Sequence, residues 1–417
     1  MGRRIIAAVL LSVLCLAAAG CNGARETDEI AYVLLMGIDR NHDGQLEYTL
    51  QFAVPRSFGA GSSSAPKDIT EASEVLTVKA VTLAEARDLA NSTVARILHL
   101  AHVKGIIVGE KIAREGIDAH LPPLTRFREY RGSMFLMVVH NGTAREFIEK
   151  NQPKLEVSPN RYIETMMASS GESSSYLPTN IHDYYCRLKN GGGAPYLTLV
   201  GSLSERGQPA EAAKEEHSID KTGGYVAGEI PRPSPDNPTE FLGTAIFTGD
   251  KMTGVLDNKQ TRGLALVEGK FGRGFLSLAD PLAPGKIVNL EIEQGRKPKI
   301  EASIVDGQAK FFIDIFIEAE ITAISSGVYY EGDDYRERLE RQVSTAIQQN
   351  IRAMLDVTQP LGSDAAGLSC RLWPEFNRYQ ELSRVDWPAM YRNADITVKV
   401  VTKIRRSGFI TKTSPIT

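Results

Sequence analysis

Between residues 30 and 190 short apolar runs alternate with amphipathic stretches. Ile30 to Ile38 is almost continuously apolar and Tyr48 to Val54 alternates like a half-buried strand, so Asp39 to Gly44 between them predicts a turn. Phe58 to Pro66 has neither periodicity and predicts a loop. Val75 to Ala80 predicts a strand. Thr82 then opens a helix with Glu85 at the capping-box spacing, and Leu83, Ala86, Leu89, Ala90, Val94 and Ile97 share one helical face. Lys104 to Glu110 predicts a buried strand leading into a helix from Lys111 to Glu115, closed by Gly116. Ser133 to Val139 predicts a further strand, after which Thr143 and Glu146 repeat the capping-box spacing. Helical signals follow at Tyr162 to Met167 and around Ile181 to Leu188.

Gly191 to Pro195 breaks this rhythm and predicts a linker. Strands are expected beyond it at Tyr196 to Ser202, Gly243 to Thr248 and Thr253 to Leu256, around a charged stretch from Glu205 to Glu216 and a proline-rich loop from Ile230 to Pro238. Pro281 to Gly285 is expected to close this small, sheet-rich segment. Longer alternating runs come next, Ile287 to Glu293, Lys299 to Val305 and Lys310 to Ile324, and predict an antiparallel meander. Leu339, Val343, Ile347, Ile351 and Leu355 recur every four residues, with Ala346 and Met354 beside them, and predict a long helix buried along one face. Asp395 to Arg406 predicts a last strand with a basic end at Lys403, Arg405 and Arg406. There is no internal repeat. The pattern describes a multi-domain α+β chain in which mixed and antiparallel sheets carry packed helices. Its expected units are residues 29–190 (mixed α/β), 191–285 (small and sheet-rich) and 286–417 (antiparallel sheet plus the long helix).

The first residues change the picture from a free body to a tethered one. Residues 1–20 combine Arg3 and Arg4, an apolar run from Ile5 to Leu16 and a small-residue exit Ala17 to Gly20, which is the form of an export signal. The run is about a dozen residues, whereas a helix needs about twenty to cross the hydrocarbon layer. Cys21 follows at once, as in a bacterial lipobox, with Ala18 in place of the usual Leu three positions before it. Cleavage after Gly20 would leave Cys21 first, carrying an S-diacylglycerol thioether and an N-acyl chain, with residues 21–28 as a polar tether. Each buried methylene contributes about 0.8 kcal/mol and one chain alone holds only marginally, so several chains make the anchor stable. No later run has the apolar length to span a membrane, so the mature chain is expected on the outer side of the membrane it crossed.

Composition narrows the classes further. Net charge is −3, and loss of Arg3 and Arg4 takes it to −5, which removes any basic footprint for nucleic acid. Hydrophobic residues at 42% and charged residues at 24% are ordinary globular usage, so a folded body is expected. Cys15 leaves with the signal, and the spacing of Cys186 and Cys370 fits neither a disulfide framework nor a metal site. Candidate chemistry is sparse. His99 and His102 lack the glutamate-containing zinc helix and read as structural. Asp333 and Asp334 are expected as helix caps in place of an acid–base pair. Gly269 to Gly274 lacks the strand and spacing of a phosphate loop and predicts a turn. Ser173 to Ser175 has no nucleophile motif around it. Lys403, Arg405 and Arg406 are fewer than the usual polybasic cluster and read as a solvated strand end. No residue is assigned as catalytic, cofactor-binding or metal-ligating.

Several separated fragments resemble the Ger(x)C family of spore germination lipoproteins: Glu29 to Asp39 (EIAYVLLMGID), His102 to Glu110 (HVKGIIVGE) with Ala113 to Gly116, Gly243 to Phe247 followed by Thr261 to Gly263, and Asp395 to Gly408. Their order, with the lipobox in front, covers essentially the whole mature chain. Gln359 to Leu368 and the region near residue 65 depart from the family pattern, and both are expected as loops at the surface. The resemblance implies a mixed α/β protein without catalytic residues, the lipid-anchored subunit of a nutrient germinant receptor on the outer face of the spore inner membrane. Its partners would be a permease-like subunit, a second multi-spanning subunit and the bilayer. The alternative is a lipid-anchored solute-binding protein of a transporter, which should read as two similar lobes of parallel strands.

Overall fold

The computed structural model describes residues 2–6, 29–54, 72–190, 193–203, 224–232, 237–330 and 332–408. Gly20, Cys21 and the loop expected at Phe58 to Pro66 lie outside them. The apolar run from Ile30 becomes β1 (Ile30–Arg40), antiparallel to β2 (Leu46–Ala53), which is antiparallel to β3 (Ser73–Lys79). On its other edge β1 runs parallel first to the short β4 (Ile97–His99) and then to β5 (Gly105–Gly109). Parallel pairing continues through β6 (Phe135–Val139) and β7 (Tyr196–Ser202), and two antiparallel strands, β8 (Thr239–Thr248) and β9 (Lys251–Leu256), finish a 9-stranded sheet.

Helices cover both faces of the parallel centre, which is why β5 and β6 read as unbroken apolar runs and β7 is buried on both faces in place of alternation. One face packs α1 (Leu83–Asn91), α2 (Glu110–Glu115) and α3 (Leu121–Arg126) through Leu83, Ala86, Ile112, Ala113, Leu121 and Leu124. The opposite face packs α4 (Ala144–Lys150) and α5 (Pro159–Ala168) through Phe147, Ile148, Ile163 and Met167. α6 (Ile181–Asn190) returns to the first face with Ile181 and Tyr184.

The capping box expected at Thr143 and Glu146 is present. At Thr82 the hydroxyl accepts from the Glu85 N–H, while the Glu85 carboxylate reaches the N–H of Val81, one residue earlier than a capping box would place it. Helix α1 is also shorter than its apolar face suggested. Ser92 and Thr93 donate their hydroxyls to the carbonyls of Leu89 and Ala90, and the Asn91 side chain accepts from the Leu98 N–H, so local side-chain bonds compete with a further turn. Ile97, expected on that helix, begins β4 instead.

The second sheet holds β10 (Arg273–Ala279), β11 (Ile287–Gln294), β12 (Lys299–Val305), β13 (Gln308–Ile324) and β14 (Asp395–Arg406). β13 is 17 residues long, so β12 pairs with its first half and β11 with its second half along one edge. The meander from β10 to β13 is antiparallel, as the alternation indicated. β14, however, lies parallel on the other edge of β13. The cause is the intervening helix α8 (Asp333–Thr358): 26 residues at about 1.5 Å each carry the chain some 39 Å back along the sheet before β14 starts. Leu339, Val343, Ile347, Ile351, Met354 and Leu355 are 0–4% exposed, so the four-residue apolar repeat is the buried face. The N-cap of α8 is Gly332, which places Asp333 and Asp334 in its first turn and corrects the expected capping role.

The expected middle unit at 191–285 is divided between the two sheets. β7, β8 and β9 complete the hydrogen bonding of the first sheet, and β10 starts the second. Residues 281–285 correspondingly connect the β10–β11 hairpin and close no separate unit. Between β9 and β10 stands a further helix, α7 (Asn258–Glu268), absent from the elements expected above. Its signal is the Asp257 to Gln260 capping box, followed by the buried Leu264, Ala265, Leu266 and Val267.

Helix α7 crosses α8 at Gly263. A Cβ built there would lie 2.9 Å from the Asn350 carbonyl oxygen and 3.1 Å from the Ile351 Cα, so backbone meets backbone with no room for a side chain. Gly263→Ala is expected to lower stability by about 1–3 kcal/mol through overpacking, read as a fall in urea midpoint. An unchanged midpoint would show that the crossing is looser than this geometry.

Candidate functional site

Parallel α/β sheets commonly place ligands beyond the carboxyl ends of their strands, and that end carries a concentrated polar cluster. Asp39, the penultimate residue of β1, is buried; its two carboxylate oxygens accept from the N–H groups of Ala144 (2.8 Å) and Arg145 (2.9 Å) at the start of α4. A strand-end carboxylate thus supplies two of the orphan helix donors with an acceptor and meets the positive end of the helix dipole. Burial pushes the Asp39 carboxyl above its ordinary value, opposed by those two backbone bonds. The glycines around it are required by the same contact. A Cβ at Gly37 would lie 3.0 Å from the Ala144 Cβ, and one at Gly109 would lie 2.5 Å from the Asp39 carboxylate.

Next to it, Glu110 accepts from Arg114 (2.9 and 2.6 Å) and from the Asn141 N–H (3.2 Å), and it pairs with His140 Nδ1 (3.1 Å). The bond with His140 holds the Glu110 carboxyl at about 2, against an ordinary 4.5. Both carboxylate oxygens of Asp39 thus fasten α4 to the sheet, and Glu110 Oε2 ties α2 to the turn after β6 while its Oε1 is held by Arg114 of the same helix.

A second polar cluster fills the seam between the two sheets. Arg187 of α6 pairs with Glu268 at the end of α7 and donates to the carbonyls of Ala365 (2.9 Å) and Ala194 (3.2 Å), its guanidinium lying 4.5 Å from the centre of the Tyr196 ring. Tyr196 donates to Glu268 (2.6 Å) and accepts from Lys270 (2.7 Å). The stretch Gln359 to Leu368, expected as a surface loop, forms the other wall. Residues 362–365 are buried. Ser363 donates to the Phe247 carbonyl (2.7 Å), Thr248 donates to the Leu361 carbonyl (2.9 Å), and the buried Asp364 carboxylate accepts from the N–H groups of Leu368 and Ser369. Short polar residues at 358–364 that leave the helix pattern were the available sign of a packed connection.

The remaining sequence candidates are placed as follows. His99 and His102 stack edgewise around Tyr32, with ring centroids 6.1 and 4.9 Å from it. Ser174 donates to the Arg273 carbonyl (3.3 Å) and accepts from the Gly272 N–H (3.1 Å), and Ser173 accepts from Arg262, so the serine run joins α5 to β10. Gly269 is the left-handed C-cap of α7. Lys403, Arg405 and Arg406 face Glu340 (2.7 Å), Glu318 (3.2 Å) and Glu320 (3.9 Å). Cys186 and Cys370 remain thiols, and Cys186 Sγ lies 3.6 Å from His182 Nε2. Among the described residues there is no group of three or more His, Cys, Asp or Glu side chains placed to hold a metal ion, and no helix is long and apolar enough to cross a membrane. Cys21 and Gly20 lie outside the described residues.

Residues 23–202 match the family described as "Spore germination protein N-terminal domain", and residues 242–408 match "Spore germination B3/ GerAC like, C-terminal". The chain is a member of the Ger(x)C family of spore germination proteins. It is 21% identical over 416 residues to the spore germination protein KC of Bacillus subtilis (strain 168), covering 98% of this chain and 97% of that one. Its fold resembles the crystal structure of the GerBC protein with a TM-score of 0.53 at 19% identity, over 88% of this chain and 96% of the other.

Two outcomes follow from these clusters. Glu110 is charged in the folded state down to about 2 but takes up a proton near 4.5 when unfolded, so its contribution is present above 4.5 and lost as pH falls toward 2. Glu110→Gln is expected to reduce stability by on the order of 1–2 kcal/mol at neutral pH, allowing for solvent screening of a partly exposed group. The difference from wild type should vanish through that acid window in urea titrations at stepped pH; a pH-independent difference would assign the loss to packing. Arg187→Met leaves Glu268 with its main partner removed and is expected to cost about 3–5 kcal/mol, measured by thermal unfolding, whereas a loss below 1 kcal/mol would mean that Lys270 and Tyr196 suffice.

Proposed function

We propose that this chain is the lipid-anchored C subunit of a nutrient germinant receptor and that it acts by contact, without catalysing a reaction. The observation that carries the reading is the pair of family matches, which follow one another in order from residue 23 to residue 408. The polar clusters support it, because their carboxylates are engaged by helix N-termini and cations of the same chain. The export signal and Cys21 support attachment to the outer face of the spore inner membrane through acyl chains, where the partners would be permease-like and other multi-spanning subunits. A transporter's solute-binding lobe pair is the weaker reading: the first sheet has a parallel centre, while the second is an antiparallel meander with one parallel edge strand, so the two are no repeat.

Cys21→Ala is expected to release the chain from spore membranes and to slow nutrient-triggered germination, assayed by fractionation and germination scoring in the same spores. Retention in the membrane fraction would refute the tether. Wild-type germination rates after deletion of the whole gene would refute the receptor role, and co-purification with permease-like subunits would support it.

A further inference from the structure

The four parallel strands β1, β5, β6 and β7 begin at Ile30, Gly105, Phe135 and Tyr196, so these residues mark one end of the first sheet. The chain enters at that end. Nine residue steps separate Cys21 from Ile30, and at about 3.5 Å per step they place Ile30 within roughly 32 Å of Cys21. If acyl chains hold Cys21 at a bilayer, this is the end of the molecule turned toward it.

The turn between α3 and β6 lies at the same end and is built unlike the other basic segments. Glu129, its carboxylate, accepts from Arg87 (3.0 Å) and from the Leu100 N–H (3.1 Å), which pins the turn beside β4. Arg126, Arg128 and Arg131 are exposed and have no carboxylate partner among the described residues. Lys403, Arg405 and Arg406, by contrast, all have one. Two large apolar side chains are exposed nearby. Phe127 is 38% exposed with the Arg87 guanidinium 5.0 Å from its ring centre, and Ile97 is 41% exposed in register with Ile30. A cavity of about 640 Å³ opens beside Phe127 between α1 and α3, with Leu83, Leu100, Pro122 and Pro123 among its walls. Against these cations stand the exposed Asp88 and Asp183. Burial holds the His102 imidazole below its ordinary value, and the charges of His99, Arg131 and Lys104 lower it further, as a local gathering of cations should.

We propose that the turn from Arg126 to Arg131 is a docking surface for anionic phospholipid: Arg126, Arg128 and Arg131 meet headgroup phosphates, and Phe127 and Ile97 sit at the boundary between headgroups and acyl chains. The proposal rests on the lipid tether argued above, since that tether brings this end to a membrane. Cations near an anionic surface each strengthen binding, and an aromatic ring at the interface adds an apolar anchor. The tether would set distance, and the turn would set orientation.

The test uses the chain from Asn22 onward, without acyl groups, which retains every strand and helix of both sheets. Its partition onto phosphatidylcholine vesicles is compared with that onto vesicles containing phosphatidylglycerol, by co-sedimentation at low and high salt. Salt-sensitive binding to the anionic vesicles is expected, with about a hundredfold weaker partition for the Arg126→Gln/Arg128→Gln/Arg131→Gln variant. Phe127→Ala should weaken binding while preserving its salt dependence. The three arginines are exposed, so an unfolding curve matching wild type is expected for their variant and separates lost binding from lost fold. Absence of binding, equal binding to neutral vesicles, or wild-type partition in the arginine variant would overturn the proposal. The Cys21→Ala fractionation tests the tether independently, so failure of one is distinguishable from failure of the other.

Discussion

The crossing of α7 over α8 at Gly263 governs how the two sheets share one body. Helix α7 follows directly from β9 of the first sheet and leads directly into β10 of the second, so the connection between the sheets is also the contact between them. Its side chains bind in both directions. Thr261 donates to Thr244 of β8 (3.1 Å), and Arg262 donates to the carbonyls of Ser173 (2.9 Å) and Phe275 (3.0 Å). With the backbones in contact at Gly263, the apolar side chains of α7 and α8 enter one core that also contains Tyr196 and Ile246 of the first sheet. Close packing transmits displacement because it leaves no slack to absorb it. The 26-residue helix beneath the second sheet is therefore packed into the same core as residues of the first.

The seam cluster reinforces that coupling in a way apolar packing alone would not. Arg187 reaches one carbonyl in the first-sheet connection, Ala194, and one in the segment after α8, Ala365, while its charge is met by Glu268 on α7. One side chain thus fixes three segments in a single register. Buried ion pairs offer little net stability over well-packed apolar groups, but separating one is costly. The arrangement resists sliding of the sheets more than it adds to the stability of either.

What the sequence made legible was whatever depends on local periodicity. The four-residue repeat of α8, the alternation of β13 and the Thr143 capping box follow from contacts within one element or across one face. What it concealed depends on the partner each element finds. β14 alternates just as an antiparallel strand would, and only the return path of α8 makes it parallel. β7 to β9 look like a separate unit because Gly191 to Pro195 precedes them, yet hydrogen bonding to β6 decides their membership. Asp39 illustrates the same limit at a single residue. As the end of a strand it resembles a turn former, and its role as acceptor for α4 arises from a residue more than a hundred positions away.

The two basic clusters show why partnering, more than count, decides what a charged segment does. Lys403, Arg405 and Arg406 are contiguous enough to attract notice in the sequence, but each faces a glutamate on β13 or α8, so their field is largely cancelled at close range. The arginines at 126, 128 and 131 alternate with Phe127, Glu129 and Tyr130 and form no run. Folding removes Glu129 from that mixture by pairing it with Arg87 and the Leu100 N–H, and what remains outside is cationic with an exposed ring. An exposed charge without a partner keeps its field to about a Debye length, roughly 8 Å at physiological ionic strength, so it acts only on what is brought close. In this fold, the end of the sheet at which β1 begins is also the end at which those arginines are left without a carboxylate partner among the described residues.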